Sequence, residues 1–121
     1  MAGKSKKAST GATGQKAGGP PRRVLGRTGL EVSVLGFGTA PLGDLFARLD
    51  DATSIAATER AFELGINLLD TSPLYGHGLA EHRCGTALRR VSRDDIVVCT
   101  KVGRWMDPFH LPGDGSGFAG G

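Results

Sequence analysis

The chain contains the stretch I-N-L-L-D-T-S-P-L-Y-G at residues 66–76 and the shorter stretch I-V-V-C-T-K at residues 96–101. Each begins as a short apolar run and then meets a charged residue, Asp70 in the first and Lys101 in the second. Apolar runs of this length, separated by a helical pattern, are typical of buried parallel strands in a βαβ unit. Because the carboxyl ends of parallel strands meet at one edge of a sheet, we expect Asp70, Lys101 and the loop residue Tyr75 to converge there.

An acid, a phenol and an amine at one place favour proton transfer to or from an oxygen atom. A free phenol titrates near pKa ~10, so it is a poor proton donor at neutral pH. A lysine cation about 4 Å away stabilises a phenolate by roughly 4 kcal/mol at an effective dielectric constant of about 20. A carboxylate beside that lysine keeps it charged and oriented. Such a tyrosine can protonate a carbonyl oxygen while a hydride reaches the carbon, so we predict Asp70, Tyr75 and Lys101 as catalytic residues of carbonyl–alcohol interconversion.

Three stretches of the chain carry a family resemblance: L-G-R-T-G-L-E-V-S-V-L-G-F-G-T at residues 25–39, E-L-G-I-N-L-L-D-T-S-P-L-Y-G at 63–76 and T-K-V-G-R at 100–104. In order and spacing they resemble the N-terminal part of an aldo-keto reductase. Within that superfamily, G-H-G-L-A-E after the tyrosine and K-V-G-R after the third strand are most similar to the aldose and fucose 1-dehydrogenase branch.

The resemblance implies an α/β fold, the N-terminal part of a (β/α)8 TIM barrel. We expect about three strands and two helices, preceded by a hairpin that closes the bottom of the barrel. A complete barrel of this type takes about 250 residues, so a chain of 121 residues is expected to be an incomplete barrel that is inactive alone. The family's fourth catalytic residue, a histidine at the end of the next strand, is not assigned to His110.

The resemblance also implies NADP or NAD as cofactor and a small carbonyl compound or sugar as substrate. The residues that match the family's cofactor contacts are Gly38, Thr39, Ala40 and Asp70. A tight turn that needs small residues would explain Gly38 to Ala40 nearly as well. A Rossmann domain is not supported, because both candidate G-x-G-x-x-G patterns lack their last glycine.

The charge of the chain is unevenly distributed. Its net charge is +3, but residues 1–23 contain six basic residues and no acidic one, which leaves 9 basic against 12 acidic residues in the remainder. We predict that residues 1–22 form a disordered basic tail and that residues 23–121 form the partial aldo-keto reductase domain. Contact of the tail with nucleic acid or a membrane surface is the less favoured alternative, because no aromatic residues are interleaved with the basic ones.

No apolar stretch approaches the roughly 18 residues of a membrane-spanning helix, and the N-terminus lacks the apolar core of a signal peptide. The two cysteines, Cys84 and Cys99, are expected to be buried, reduced thiols in a cytoplasmic protein rather than metal ligands or a disulfide. No metal site is predicted, and the oligomeric state is left open.

The pattern also predicts the order of elements. We expect a hairpin over residues 24–32, a first strand over 34–37, and a helix over 52–64 capped by Asp50 or Asp51 and ended by Gly65. The predicted inner face of that helix is Ile55, Ala57, Thr58, Ala61, Phe62 and Leu64. A second helix should begin at Glu81 and turn Ala80, Cys84, Leu88 and Val91 toward the sheet. Beyond Arg104 the periodicity fades, which we interpret as a chain cut before a fourth strand.

A non-enzymatic function remains as the second hypothesis. A half-barrel with open sheet edges can pair with another chain and serve as an interaction module or as a pseudoenzyme. An in-frame continuation beyond Gly121 with a fourth strand ending in histidine would favour the enzyme, and a stop codon would favour the module.

Overall fold

The computed structural model describes residues 17–103. Residues 1–16 of the predicted tail (residues 1–22) and the chain from Arg104 onward, with His110, lie outside these residues. The described elements are strands β1 (Arg22–Val24), β2 (Glu31–Ser33), β3 (Phe37–Gly38), β4 (Leu68–Asp70) and β5 (Val97–Cys99), and helices α1 (Asp51–Glu63) and α2 (Leu79–Leu88). Two short 3-10 helices lie at Ala40–Gly43 and Arg93–Asp95.

The strands form a hairpin and a parallel sheet. Strands β1 and β2 pair antiparallel, while β3, β4 and β5 form a parallel sheet in that order. The side chain of Asn67 joins the two parts, because its Oδ1 accepts from Ser33 N at 2.6 Å and its Nδ2 donates to Glu31 O at 2.9 Å. The predicted hairpin and three parallel strands are therefore present, and within residues 17–103 the sheet does not close into a barrel.

The first strand of the parallel sheet begins later than predicted. It covers Phe37–Gly38 rather than residues 34–37. Val34 N donates to Pro21 O at 2.9 Å, so this segment continues the pairing of the hairpin instead of joining β4. The side chains of Val34 and Leu35 are accordingly 54% and 59% exposed.

Helix α1 begins where a side chain satisfies its first amides. Asp50 is the N-cap: it accepts from Thr53 N at 2.7 Å and from Thr53 Oγ1 at 2.8 Å. Gly65 follows the helix with φ +88°, as expected of a glycine that ends a helix.

The predicted inner face of α1 is partly wrong. Thr58, Ala61 and Phe62 are buried, but Ala57 and Leu64 are exposed and Ser54 is buried instead. The hydroxyls of Ser54 and Thr58 donate to the carbonyls four residues earlier, at 2.9 and 3.0 Å. Their polar groups are thus satisfied within the helix, and this face can enter the core.

Helix α2 begins at Leu79, two residues before the predicted Glu81, after Gly78 with φ +92°. Ala80 and Cys84 are buried and Leu88 and Val91 pack against them, as predicted. The core cluster also contains Leu42, Phe62, Leu69, Ala87 and Ile96.

The prediction of two buried thiols is correct for Cys84 and wrong for Cys99, although both are free. Cys84 lies in the core, and burial raises the pKa of its thiol to about 11, against smaller opposing effects of the Thr58 and Thr39 hydroxyls. Cys99 lies on β5, which is the last strand of the described sheet and therefore has one open side.

We expect the two thiols to react differently in the native 121-residue chain. Because a reactive thiol must be both accessible and ionised, an aromatic disulfide reagent should modify Cys99 promptly and Cys84 only after denaturation in urea. A Cys99→Ser control should abolish the fast phase. Fast modification of the remaining thiol in that variant would contradict the buried position of Cys84.

Candidate functional site

The three parallel strands end at the same level. Gly38 is in register with Asp70, and Asp70 is in register with Cys99, so these residues share one face of the sheet. Two bonds extend the ladder beyond the strands: Thr39 N donates to Asp70 O at 3.0 Å and Thr71 N donates to Cys99 O at 2.8 Å. The loops that follow all three strands therefore start side by side.

The structure brings together the three side chains that were predicted from the sequence. Lys101 Nζ donates to Asp70 Oδ1 at 2.8 Å and to the carbonyl oxygen of Thr71 at 2.7 Å. The same nitrogen lies 5.1 Å from the centroid of the Tyr75 ring, within the range of a cation–π interaction. The hydrogen bond to Asp70 raises the pKa of Lys101 despite a smaller opposing effect of burial, so the amine stays cationic at neutral pH.

The loop that carries Tyr75 is held by its own backbone and by the loop after β3. Tyr75 N donates to Ser72 O at 3.1 Å, and Tyr75 O accepts from Ala80 N at 3.2 Å, which ties the loop to the first turn of α2. Gly43 lies directly against this backbone: a Cβ placed on it would be 2.3 Å from the carbonyl carbon of Tyr75. Tyr75 itself is half-buried and packs against the core cluster.

A cleft of about 400 Å³ opens beside Tyr75, between the loops after β3 and β4. His77 and Asp44 are on its wall, and they are the two non-glycine residues in the described part of the chain with positive φ, at 51° and 61°. The apolar residues Leu45 and Leu74 complete it.

Of the residues expected to contact a nicotinamide cofactor, Gly38, Thr39 and Ala40 lie at the end of β3, and Asp70 ends β4. A Cβ on Gly38 would meet nothing within 4 Å, so the strand is open at this glycine on the face that carries Asp70. The hydroxyl of Thr71, next to Asp70, is buried and has no hydrogen-bond partner in the described structure. That of Thr39 has only the weakly polar thiol of Cys84 nearby. Thr39 is fully buried with its hydroxyl beside the core thiol of Cys84, so the open space at Gly38 is the feature here that suits a planar ligand. Ala40 begins the short helix that follows.

The sequence interpretation missed Arg83. Its side chain is only 5% exposed, and it bonds to two carboxylates and two carbonyl oxygens of the loop after β3 and the start of α1. The available signal was its position: Arg83 falls between Ala80 and Ala87 on the apolar face of α2, where a charged residue needs buried partners. The sequence interpretation also missed Gly43, and no pattern in the sequence marks that glycine.

Asp70→Asn is expected to lower the pKa of Lys101, because the first cause of its elevation is the bond to Asp70. A lysine whose pKa is raised on folding stabilises the folded state. The full stabilisation is present at pH values below the ordinary lysine pKa, about 10.4, and it is lost as the pH rises through the pKa of the folded state. NMR titration of the Lys101 side chain measures the change. Glu63→Gln is the matched control, since it removes an acid whose partner is Arg60. An unchanged Lys101 titration in Asp70→Asn would contradict the pairing.

Within residues 17–103, no helix is long and apolar enough to cross a membrane. In the same residues, no group of three or more His, Cys, Asp or Glu side chains is arranged to hold a metal ion.

Comparison with known proteins identifies the family. A profile of the Aldo/keto reductase family matches residues 34–116. The chain is 46% identical over 89 residues to L-galactose dehydrogenase of Arabidopsis thaliana, covering 72% of this chain and 28% of that protein. It is 47% identical over 85 residues to pyridoxal 4-dehydrogenase of Microbacterium luteolum, covering 70% and 25%. It is 40% identical over 100 residues to D-threo-aldose 1-dehydrogenase of a Pseudomonas species, covering 71% and 30%.

Among solved structures, the holo form of an aldo-keto reductase from Bacillus halodurans matches with a TM-score of 0.65 and 39% identity, over 74% of this chain and 28% of that one. The chain thus spans between a quarter and a third of the length of the curated relatives it matches. The resemblance inferred from the sequence, including its similarity to aldose dehydrogenases, is confirmed. This chain belongs to the aldo-keto reductase family, whose members are oxidoreductases that use NADH or NADPH.

Proposed function

We propose that this chain supplies the proton-transfer half of an NADP- or NAD-dependent oxidoreductase that interconverts small carbonyl compounds and alcohols. The observation that carries the proposal is the position of Lys101 Nζ. This nitrogen lies 2.8 Å from Asp70 Oδ1 and 5.1 Å from the ring centroid of Tyr75, the only tyrosine in the chain. It lies at the carboxyl ends of parallel strands, where α/β barrels hold their active sites.

Each side chain of this group has a role that follows from its contacts. Tyr75 Oη donates a proton to the carbonyl oxygen during reduction and accepts it from the hydroxyl during oxidation. The cation of Lys101 stabilises the phenolate that forms, and Asp70 and the carbonyl of Thr71 hold that cation in place. The nicotinamide, when bound, supplies or takes the hydride.

The proposed cofactor contacts are Gly38, Thr39, Ala40 and Asp70. Gly38 and Asp70 share a face in register, and open space lies over Gly38. This leaves a planar ring access to the ends of β3 and β4 beside Lys101. The choice between NADP and NAD is made at the far end of the dinucleotide, away from these residues.

For the substrate we propose an aldose or a related cyclic hemiacetal. Two of the relatives reported above are named for a sugar substrate. Removal of a hydride from the anomeric carbon of a cyclic aldose, with loss of the hydroxyl proton to Tyr75, leaves a lactone. We also propose a cytoplasmic location, for which two unpaired thiols are the usual state, and small-molecule partners rather than nucleic acid or a membrane.

The proposal is tested in a complete barrel. Residues 22–103 are joined to the remaining strands of the Bacillus halodurans relative, and oxidation of NADPH and NADH is followed with an aromatic aldehyde, with the reverse reaction measured on aldoses. Turnover in the folded hybrid is expected, with the intact relative as positive control. A folded hybrid that binds NADPH but has no turnover in either direction would contradict the proposal.

The second candidate function is a binding module, and one observation favours it. Several apolar side chains of the described structure are strongly exposed, including Val34 and Leu35 beside β3 and Phe46 in the next loop, at 54%, 59% and 79%. We propose that the 121-residue chain is inactive alone and associates through its open sheet. Sedimentation of the purified chain, with the same assay, separates the two functions: turnover by the isolated monomer would exclude this second one.

A further inference from the structure

The guanidinium of Arg83 is the most heavily bonded buried charge among the described residues. Its Nε donates to Asp51 Oδ1 at 2.9 Å, and its Nη1 donates to Asp44 Oδ1 at 2.9 Å and to Leu42 O at 2.6 Å. Its Nη2 donates to Leu49 O at 2.7 Å. All three nitrogens of one side chain on α2 are thus engaged by the segment that leads from β3 to α1.

These bonds hold the loop over residues 39–50 at Leu42, Asp44 and Leu49, and they fix the first residue of α1 through Asp51. Asp44 has φ +61°, a conformation that costs an aspartate free energy and persists only where other contacts enforce it. Its carboxylate accepts from Arg83 and from Leu49 N at 3.1 Å, so the same side chain closes the loop on itself. The bond from Arg83 is the first cause of the low pKa of Asp44.

The held loop touches the backbone of the tyrosine. Gly43 lies between the two residues that Arg83 Nη1 binds, Leu42 and Asp44. Its Cα is so close to the Tyr75–Gly76 peptide that a Cβ would be 2.3 Å from Tyr75 C and 2.6 Å from Gly76 N. The contact is mutual, since a Cβ on Gly76 would be 2.7 Å from Gly43 O. A continuous series of close contacts therefore joins the Arg83 guanidinium to the backbone of Tyr75.

We propose that Arg83 is a positioning residue for Tyr75: by fixing the loop over residues 39–50 against the Tyr75–Gly76 peptide, it sets where the phenol lies relative to Lys101. The inference rests on the proposed function of Tyr75. It goes further because the hydrogen bonds of Arg83 go to the loop and to Asp51, and none goes to Asp70, Tyr75 or Lys101. A shift of about 1 Å in a reacting group can lower a rate by about 100-fold. Loss of the Arg83 hydrogen bonds therefore changes catalysis as well as structure.

The competing view is that Arg83 only stabilises the fold. Stability alone cannot separate the two, because removing one partner of a buried ion pair destabilises the fold under either view. The separating quantity is the position of the Tyr75 ring in protein that remains folded. Tyr75 is the only tyrosine of the chain, so ring-labelled tyrosine gives a single set of NMR signals.

The experiment compares Arg83→Met with Arg90→Met in the 121-residue chain. Arg90 also joins the end of α2 to α1, through Glu59 Oε1 at 2.7 Å, but makes no contact with the loop. In the wild-type chain and in Arg90→Met, we expect nuclear Overhauser contacts between the Tyr75 ring and the Lys101 side chain. In Arg83→Met these contacts should weaken or disappear while the methyl signals of Leu69 in the core keep their dispersion. Unchanged ring contacts in folded Arg83→Met would overturn the proposal.

Arg83→Lys keeps the experiment decisive if Arg83→Met does not fold. A lysine keeps the charge but cannot reach all four acceptors, so we expect a folded protein with weakened ring contacts. Wild-type ring contacts in Arg83→Lys would overturn the proposal. In the active hybrid barrel, Arg83→Lys should lower kcat by about 10- to 100-fold. Loss of ring contacts with no activity in the wild-type hybrid would reject the proposed function and leave the positioning intact.

Discussion

Tyr75→Phe in the complete barrel is expected to lower kcat by about 100-fold to 10⁴-fold, the range that a positioned general acid contributes. The phenylalanine keeps the ring that packs on the core cluster and the cation–π contact with Lys101, so only the transferable proton is lost. The affinity for NADPH should stay nearly unchanged, because the residues proposed to contact it are at the end of β3 and on Asp70. Stopped-flow kinetics and a fluorescence titration of cofactor measure the two quantities separately.

Lys101→Met provides the comparison for that result. It leaves the hydroxyl of Tyr75 but removes the cation that would stabilise the phenolate, so kcat should fall while the ring stays packed. A Tyr75→Phe enzyme with kcat close to wild type would reject Tyr75 as the proton donor, whatever the value for Lys101→Met.

Gly43→Ala should be among the most destabilising single substitutions in the chain, with a cost of about 1–3 kcal/mol or more for a side chain forced into a filled space. Space, rather than backbone conformation, requires this glycine, because Gly43 is not among the residues with positive φ. The nearest atoms to the added Cβ, at 2.3 to 2.6 Å, belong to the backbone of Tyr75 and Gly76 and cannot rotate away. Urea unfolding followed by circular dichroism measures the loss.

Gly85→Ala is the matched control and should change stability in the opposite direction. Gly85 lies in the interior of α2, and a Cβ there would meet nothing within 4 Å. Replacement of a helical glycine by alanine stabilises by roughly 0.5–1 kcal/mol. Equal unfolding midpoints for the two alanine variants would show that the contact between the loops after β3 and β4 is looser than described.

The proximity of Asp70, Tyr75 and Lys101 could be predicted from the sequence because these residues end or follow apolar runs. Asp70 ends one strand in register with Cys99, and Lys101 follows Cys99 by two residues, so the parallel arrangement brings Lys101 just beyond the level of Asp70. Tyr75 could be added because a loop of five residues keeps it at the same edge. The start of β3 could not be predicted, since Val34 is apolar but its amide bonds to Pro21 O on the hairpin side of the chain.

Long-range polar contacts explain the remaining differences. Arg83 binds residues 32 to 41 positions away in the chain, and no local pattern specifies such partners. Ser54 enters the core because its hydroxyl bonds to Asp50 O within the helix, which a hydrophobic pattern does not record. The exposure of Cys99 depends on the strand order, in which β5 has a neighbour on one side only.

The most direct test of the proposed chemistry is transfer of deuterium from the nicotinamide. The hybrid barrel that carries residues 22–103 is incubated with NADPH deuterated at the transferable C4 position and with an aromatic aldehyde, and the alcohol is examined by NMR and mass spectrometry. We expect one deuterium on the former carbonyl carbon, and far less alcohol in the same time from Tyr75→Phe. Alcohol without deuterium at that carbon, or equal yields from both proteins, would contradict the hydride and proton transfer proposed for this site.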